Sequence, residues 1–462
     1  MMDFYDYALI DVGSRKAYTS SRIVQTIEEV ANGLAKFEFP LETRIAIIAK
    51  NSFEYIATYH GIRRAGMVPV LINAKLPATK IQQIIQHSDS ELIFHDGINA
   101  TFDVPSINFH TEFSLFLSTD YKNPAPYDPN RPVLQIYTSG STGEPKGVVI
   151  SGNSRSWLID RLTQNVSTCP VLVATPMYHM NGLTNVESCV ISGQPLVLMP
   201  EFEPREYINC IKKYDVKILK MVPPMMAMIL QQTDLLDDTY LNGIQEIVMA
   251  SAPTSPVLFE KAKVRFPNAH ITIGYGSTEL GAGIFGSHPS GMHTPEMSVG
   301  YPRRSVEYKL VDGILHVKSP TMLTSYHKRD VPLTEDGFFN TGDKFRIDED
   351  GFYFFEGRAD DMFVCGGENI YPSEVEEIIE RHPAVKEVTV IGLPDPIKGA
   401  KPYAFIVGDD GLTEKEIKDF VLANAPAYQH PRAVWFLDKM PLTASNKINR
   451  KELKEIARKN MQ

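Results

Sequence analysis

Apolar residues at Ile23, Val24, Ile27, Val30, Ala31 and Leu34 recur at helical spacing, and Thr19 or Ser20 stands where that helix needs its N-cap. The rhythm then changes. Short apolar runs at 45–49, 68–72 and 91–95 predict buried strands, and the segments 52–64 and 78–87 between them predict helices. Strands buried on both faces and alternating with helices imply βαβ units and a parallel sheet. The alternation returns at 171–174, 195–199, 216–221, 245–250 and 271–273, so the chain holds two doubly wound layers in one large region. No repeat of solenoid period and no low-complexity segment interrupts it.

Beyond Gly300 the pattern becomes antiparallel. Asp-Gly turns at Asp312-Gly313, Asp336-Gly337 and Asp350-Gly351 separate aromatic-rich strands such as 352–355. After Gly357, strands at 388–391, 403–407 and 434–437 mix with helices at 373–381, 414–424 and 451–459. The expected fold is therefore α/β: a large N-terminal region of doubly wound sheets (1–357) with a β-rich subdomain, then a small α+β C-terminal domain (358–462).

Composition narrows the function. The 462 residues carry 46 Lys+Arg against 56 Asp+Glu, a net charge of −10. Neutralising phosphates along a nucleic acid takes a basic face, so this balance argues against such a partner. Four cysteines (Cys169, Cys189, Cys210, Cys365) without a CxxC pair argue against a disulfide framework or a zinc site. The N-terminus lacks a signal peptide's basic and apolar regions, and no apolar stretch approaches the ~18 residues of a spanning helix. The expectation is a soluble cytoplasmic protein with no membrane span, monomeric or homodimeric.

Three segments carry candidate chemistry. Between predicted strands at 133–136 and 148–150 lie Tyr137, Thr138, Ser139, Gly140, Ser141, Thr142, Gly143, Glu144, Pro145, Lys146 and Gly147. Hydroxyls, close-approaching backbone N–H groups and one lysine suit a polyphosphate. The segment is not a Walker A loop, because no Gly-Lys-Ser/Thr ends it and no helix follows directly. Next, Gly274, Tyr275, Gly276, Ser277, Thr278 and Glu279 follow a predicted strand, where doubly wound sheets bind ligands. Tyr275 can stack on a base, Thr278 can donate to phosphate and Glu279 can hold Mg²⁺; read alone, the segment is more often a plain turn. Third, Asp343 in Thr341-Gly342-Asp343 can accept from ribose hydroxyls, and Arg358 in the run from Gly357 to Asp361 can donate to sugar or phosphate. The acidic turn Asp348-Glu349-Asp350-Gly351 lacks the EF-hand spacing and reads as a solvated hairpin turn.

Together with Pro176-Met177-Tyr178-His179, the run Gly366-Gly367-Glu368-Asn369-Ile370-Tyr371-Pro372 and Lys447 in Ser445-Asn446-Lys447, these segments resemble, in order over nearly the whole chain, the adenylate-forming superfamily, and within it the acyl- and aryl-CoA ligases. The resemblance implies ATP-dependent activation of a carboxylate to an acyl-adenylate with loss of pyrophosphate, followed by transfer to the thiol of coenzyme A. It implies that Ser139, Gly140, Ser141, Thr142, Gly143 and Lys146 hold the β- and γ-phosphates, that Thr278 holds the α-phosphate, and that Glu279 binds Mg²⁺. Tyr275 and Gly276 would line adenine, Asp343 and Arg358 bind ribose, and Lys447 bridge the substrate carboxylate and the α-phosphate. His179 would border the acyl pocket and thiol channel.

It further implies a small domain that rotates about a hinge at Asp360, after which Gly366, Gly367 and Glu368 line a pantetheine tunnel. The acyl pocket would be built from Met177, His179, Met180, Ser251, Ala252, Gly274 and Gly281. No aspartate stands where amino-acid-activating members meet an ammonium group, and the small uncharged pocket segments leave room for a hydrophobic, aromatic or medium-chain acid. Met177, Met180, Met225, Met226 and Met228 are open to two readings, pocket lining or core filler. Three departures from the family pattern stand out: Asn446 replaces a glycine, which asparagine's tolerance of unusual backbone angles allows, while Ala400 for glutamate and a short N-terminal lead bear on the thiol acceptor. A carrier-protein thiol, or a non-catalytic nucleotide- or acyl-binding relative, are the alternatives.

Overall fold

A computed structural model describes residues 7–98, 102–120, 125–126, 128–139, 145–164, 167–236, 239–365, 368–443 and 446–461. Its large region is built on two seven-stranded sheets. In the first, Ser106–Asn108, Ser90–His95, Arg44–Ile48, Val68–Leu71 and Pro132–Ser139 run parallel, and Pro145–Ser151 and Ser325–Tyr326 continue it antiparallel. In the second, His270–Gly274, Glu246–Ala250, Ile218–Met221, Val171–Val173, Leu196–Leu198 and Leu9–Asp11 are parallel, with Lys16–Tyr18 as an antiparallel edge.

Side chains alternate across each strand, and the cores record it. Ile45 and Ile47 point into a cluster shared with Val171 and Val173 of the other sheet, while Ala46 and Ile48 point to the opposite face, under helix Ala78–Ser88. Leu172 and Ala174 likewise face away, toward helices Pro204–Lys213, Pro223–Leu230 and Pro256–Arg265. The shared layer between the sheets holds helices Ser20–Leu34, Phe53–Arg64 and Met180–Ser192. Helices and sheets thus alternate in five layers. Strands buried on both faces in this way need the continuous apolar runs that the sequence shows.

The helix expected from 19 forms over Ser20–Leu34, with the Thr19 hydroxyl accepting from the Arg22 amide. Val24 alone leaves the apolar stripe and is 58% exposed. A four-stranded antiparallel sheet, Glu307–Val311, Ile314–Lys318, Phe339–Ile347 and Tyr353–Arg358, forms the β-rich part. Asp312 and Gly313 close its first hairpin, both at positive φ (52° and 77°), as a tight primed turn demands.

The C-terminal α+β domain pairs the long hairpin Val385–Asp395 and Gly399–Gly408 with Phe363–Cys365, Glu368–Ile370 and Val434–Phe436. Helices Pro372–Glu380 and Glu414–Asn424 close one core, and Arg450–Asn460 another. The Glu414–Asn424 helix opens with a reciprocal cap between Thr413 and Glu416.

Candidate active site

The carboxyl ends of the second sheet's parallel strands supply the site's floor, the position at which doubly wound sheets take ligands. Val171–Val173 leads to Met177 and His179, Glu246–Ala250 to Ser251 and Ala252, and His270–Gly274 to the turn bearing Tyr275, Thr278 and Glu279. Ala250 and Gly274 are paired in register, and a Cβ on Gly274 would lie 2.9 Å from that of Ala250. At Gly276 a Cβ would come 2.4 Å from the Gly281 carbonyl oxygen, so only glycine fits this turn. The turn is closed by Ser277 N–H donating to the Gly281 carbonyl (3.2 Å), and the Glu279 carbonyl accepts from the Leu323 amide (2.8 Å). Thr278 is partly buried in it.

Strands Pro132–Ser139 and Pro145–Ser151 form an antiparallel hairpin whose last pairs are Thr138 with Lys146 and Ser139 with Pro145. Gly140, Ser141, Thr142 and Gly143 lie outside the described residues, as do the side chains of Thr138 and Ser139. Lys146 reaches Glu279, Nζ to Oε1 at 3.2 Å. These two groups come from elements 133 residues apart in sequence.

On the facing antiparallel sheet, Asp343 and Arg358 are register partners, and Arg358 Nη1 donates to Asp343 Oδ1 at 3.0 Å. The other carboxylate oxygen accepts from the Tyr275 hydroxyl at 2.5 Å. Tyr275 packs edge-on against Phe285 and Phe345, with ring centroids 5.9 and 5.0 Å away. Burial pushes the Asp343 carboxyl up, the Tyr275 and Arg358 hydrogen bonds oppose that, and Asp360 adds to it. Arg358 also holds Asp360 through two bonds, Nε to Oδ1 at 2.8 Å and Nη2 to Oδ2 at 3.1 Å.

Lys447 reaches this group from the C-terminal domain. Burial pulls its ammonium below the usual lysine value while the charge of Asp343 acts the other way. His179 is drawn down to about 4 by burial, with Lys447 acting in the same direction. It is therefore a neutral ring near pH 7, and its Nε2 is buried with no hydrogen-bond partner among the described residues. Lys447 thus stands within charge range of both Asp343 and His179. A short turn presents it: Thr443 N–H donates to the Lys447 carbonyl (2.6 Å), and Asn446 N–H to the Thr443 carbonyl (2.9 Å). Asn446 sits at φ +58°, a left-handed conformation that asparagine tolerates better than most residues. Ala400 pairs with Pro394 near the tip of the long hairpin.

Glu368 is exposed on a strand paired with Cys365, and Gly366 and Gly367 lie outside the described residues. The C-terminal domain therefore offers Lys447 to the site. Ser251 (φ +70°) and Ala252 follow Ala250, the register partner of Gly274, and Gly281 bridges to Ser277 in the turn beyond Gly274. Met177 is 1% exposed in the core shared by the two sheets, and Met225 and Met226 are buried in the core beneath helix Pro256–Arg265. All three methionines pack within hydrophobic cores. Met180 is buried too, and its sulfur accepts from Arg155 Nη1 at 3.4 Å.

A buried ionic cluster beneath His179 escapes sequence reading. Glu187, on the helix that His179 opens, accepts from Arg155 Nε (2.7 Å) and the Tyr59 hydroxyl (3.1 Å) and pairs with Arg63. Arg155 Nη1 also donates to Thr184 Oγ1 at 3.0 Å. Burial acts to raise the Glu187 carboxyl, but Arg155 and Arg63 overcome it and hold it at about 2. The one available signal is a lone carboxylate inside an apolar helix stretch, Val186-Glu187-Ser188-Cys189-Val190.

The model of the AMP-binding enzyme family matches residues 5–327, and that of the AMP-binding enzyme C-terminal domain matches 374–447. The chain belongs to the AMP-binding enzyme family. It is 29% identical over 450 residues to a 2-succinylbenzoate–CoA ligase from Listeria monocytogenes, covering 95% of this chain and 94% of that one. The o-succinylbenzoate CoA synthetase from Bacillus subtilis, solved with its acyl-adenylate, superposes with a TM-score of 0.82 at 26% identity, over 98% of this chain and 96% of the other. An anthranilate CoA ligase bound to anthranoyl-AMP shares the fold, with a TM-score of 0.87 at 23% identity over 98% and 94% of the two chains.

The chain is thus an AMP-forming ligase of the acyl- and aryl-CoA type within the adenylate-forming superfamily, as its motifs imply. No helix among the described residues is long and apolar enough to cross a membrane.

The donor set also fits the magnesium ion this chemistry uses. Among the described residues no three His, Cys, Asp or Glu side chains cluster as a metal cage. Mg²⁺ needs none, since it keeps waters and binds through one or two carboxylates plus substrate phosphates. Glu279, beside Lys146, is the carboxylate that would serve such an ion.

Proposed function

We propose that this ligase activates a hydrophobic aromatic or medium-chain carboxylic acid and transfers it to coenzyme A, with the Lys447–Asp343–His179 group as its adenylation centre. ATP, Mg²⁺ and CoA are the co-reactants of the family's reaction. The observation that carries the residue assignment is that Lys447, from the C-terminal domain, lies within charge range of Asp343 and His179 of the large region.

Carboxylate attack on the α-phosphorus brings two anions together, so positioned cations and orientation supply most of the catalysis. Lys447 is a compact cation able to face carboxylate and α-phosphate at once. Lys146 and the 138–143 segment face the outer phosphates, and Thr278 the α-phosphate. Asp343 and Arg358 hold the ribose, Tyr275 and Gly276 border the base, and Glu279 holds the metal ion, which neutralises phosphate charge when bound. Neutral His179 borders the acyl group without adding a second cation. Ser251, Ala252, Gly274 and Gly281 frame the acyl pocket, with Met180 at its edge. An aromatic acid agrees with the 2-succinylbenzoate named for the relatives and with the absence of a charged side chain among these framing residues.

The chain divides near 357/358 and turns about Asp360, and the turned state brings Gly366, Gly367 and Glu368 to the pantetheine. ATP–pyrophosphate exchange over a panel of benzoates, succinylbenzoates and medium-chain acids tests the reading, followed by thioester formation with CoA. Mg²⁺-dependent exchange with at least one such acid, and turnover with CoA, is expected. Exchange without CoA turnover would transfer the acceptor role to a carrier-protein thiol, and no exchange with any aromatic or medium-chain acid would overturn the substrate class.

A further inference from the structure

Tyr326 lies outside every motif named above, yet it touches both ionic groups of the proposed phosphate and metal site. It ends the short strand Ser325–Tyr326, which adds antiparallel to Pro145–Ser151, and it pairs in register with Val148. Opposed residues of an antiparallel pair share a face, and so do residues two apart on a strand. Tyr326, Val148 and Lys146 therefore share one face of the sheet. The Tyr326 hydroxyl donates to Glu279 Oε1 at 3.3 Å, and the Lys146 ammonium stands 4.2 Å from the centre of the tyrosine ring. Lys146 itself is 3.2 Å from the same Oε1. Tyr326 is 3% exposed, so water does not replace these contacts cheaply.

We infer that Tyr326 is a positioning residue for the Mg²⁺·ATP site. Its hydroxyl fixes Glu279 through Oε1 and turns Oε2 to the metal, and its ring seats the Lys146 ammonium once that ion pair opens to phosphate. Lys146 and Glu279 are paired at 3.2 Å, so each needs another partner when the pair opens to phosphate and metal. A ring face attracts an ammonium through its quadrupole without neutralising it, and a phenol donates to a carboxylate without removing its charge. Ring and hydroxyl thus give each group a neutral partner as the pair opens, and leave both charges available to the nucleotide and its metal.

The inference rests on the assignment of Lys146 and Glu279 to the nucleotide, and the test separates the two. Calorimetric titration of ATP, with and without Mg²⁺, is carried out on the full chain as wild type and as Tyr326→Phe, Tyr326→Leu and Glu279→Gln. Tyr326→Phe keeps the ring and loses the hydroxyl. It is expected to weaken binding of Mg²⁺·ATP roughly three- to tenfold, the loss of one hydrogen bond to a carboxylate, while leaving Mg²⁺-free ATP unchanged. Tyr326→Leu is expected to weaken both, because the seat for Lys146 is gone as well.

Glu279→Gln is expected to abolish the gain in affinity from Mg²⁺. If it does not, the metal assignment of Glu279 fails. If Glu279→Gln acts while Tyr326→Phe binds Mg²⁺·ATP as wild type does, the positioning role of Tyr326 is overturned and the site stands. Should Tyr326→Leu fail to fold, Tyr326→Phe decides alone. Equal weakening of ATP with and without Mg²⁺ in Tyr326→Phe would mark a merely structural residue and also overturn the inference.

Discussion

Replacing Glu380 by glutamine should remove most of the pH dependence of the contact between the C-terminal domain and the large region. Glu380 ends the helix Pro372–Glu380 and lies beside Ser255, the N-cap of helix Pro256–Arg265 in the large region. Burial pushes its carboxyl up to about 7, the Ser255 hydrogen bond opposes this, Glu376 and Glu377 raise it further and Lys261 lowers it. A second carboxylate of the same domain, Glu387, accepts from Gln231 of the large region at 2.7 Å, and burial raises it too.

A domain that swings away returns Glu380 to water and to its ordinary value of 4.5. The carboxyl value is higher in the docked state, so docking binds protons. The docked state is favoured at low pH, and its advantage is lost as pH rises from 4.5 through about 7. Linkage between those two values gives a docked-to-undocked ratio about tenfold higher at pH 6 than at pH 8. Above pH 7 the penalty levels off at about 3 kcal/mol.

Fluorescence transfer between dyes at Leu115→Cys and Leu422→Cys, two exposed positions, reads the ratio directly in a Cys169→Ser background. Wild type should shift by at least about tenfold between pH 6 and 8, the part that Glu380 alone supplies, whereas Glu380→Gln should keep only the smaller, same-signed shift that Glu387 contributes. Superimposable pH curves for the two proteins would refute the reasoning.

Lys447→Ala should abolish pyrophosphate exchange yet largely spare thioester formation from supplied acyl-adenylate; equal loss of both half-reactions would remove Lys447 from the adenylation role. Asp360→Pro fixes the backbone where the hinge is placed, so it should slow the thioester step more than the exchange, and wild-type rates for both would move the hinge elsewhere. Glu187→Gln leaves Arg155 buried beside Arg63 without its counter-charge and should cost about 3–5 kcal/mol in denaturant unfolding. Because the arginines hold Glu187 at about 2, that contribution is present above pH 4.5 and is lost only as pH falls through about 2. An unchanged midpoint would contradict it.

The parts legible in the sequence are those with local causes. Ile45, Ala46, Ile47 and Ile48 announce a doubly buried strand because both faces must be apolar, and the observed strand is Arg44–Ile48. Asp312-Gly313 announces its hairpin because only such residues accept two positive φ angles in succession. Leu9–Asp11 had no such signal: three residues gain strand geometry by pairing with Leu196–Leu198, far along the chain. The site divides in the same way. Glycine-rich turns and motif residues could be read, whereas Tyr326 and Glu187 act through contacts 47 and 32 residues away. A tyrosine or glutamate carries no local mark of such a partner. Which face of the C-terminal domain meets the large region is a rigid-body property and leaves no periodicity at all.

That docked face bears on how the domain, if it turns as proposed, would both hold and release. Among the described residues its polar contacts include Glu387 with Gln231, Glu380 with Ser255, the Ser373 hydroxyl with the Glu356 carbonyl, the Lys344 ammonium over the Tyr371 ring, and Lys447 in the field of Asp343. Each hydrogen bond is worth about 0.5–1.5 kcal/mol net, and the two carboxylates subtract from that when ionised. A difference of a few kcal/mol is the range in which a ligand can shift a two-state equilibrium. Lys447 ties the balance to chemistry. On the role proposed for it, nucleotide and carboxylate together would satisfy its charge and favour docking, and departure of pyrophosphate would remove part of that satisfaction. The Arg358–Asp360 pair, at the start of the C-terminal segment, joins the proposed ribose ligand to the proposed hinge through two hydrogen bonds. On these proposed roles, loss of one anionic product would loosen Lys447 while Arg358, still on the ribose, would keep the pivot in place.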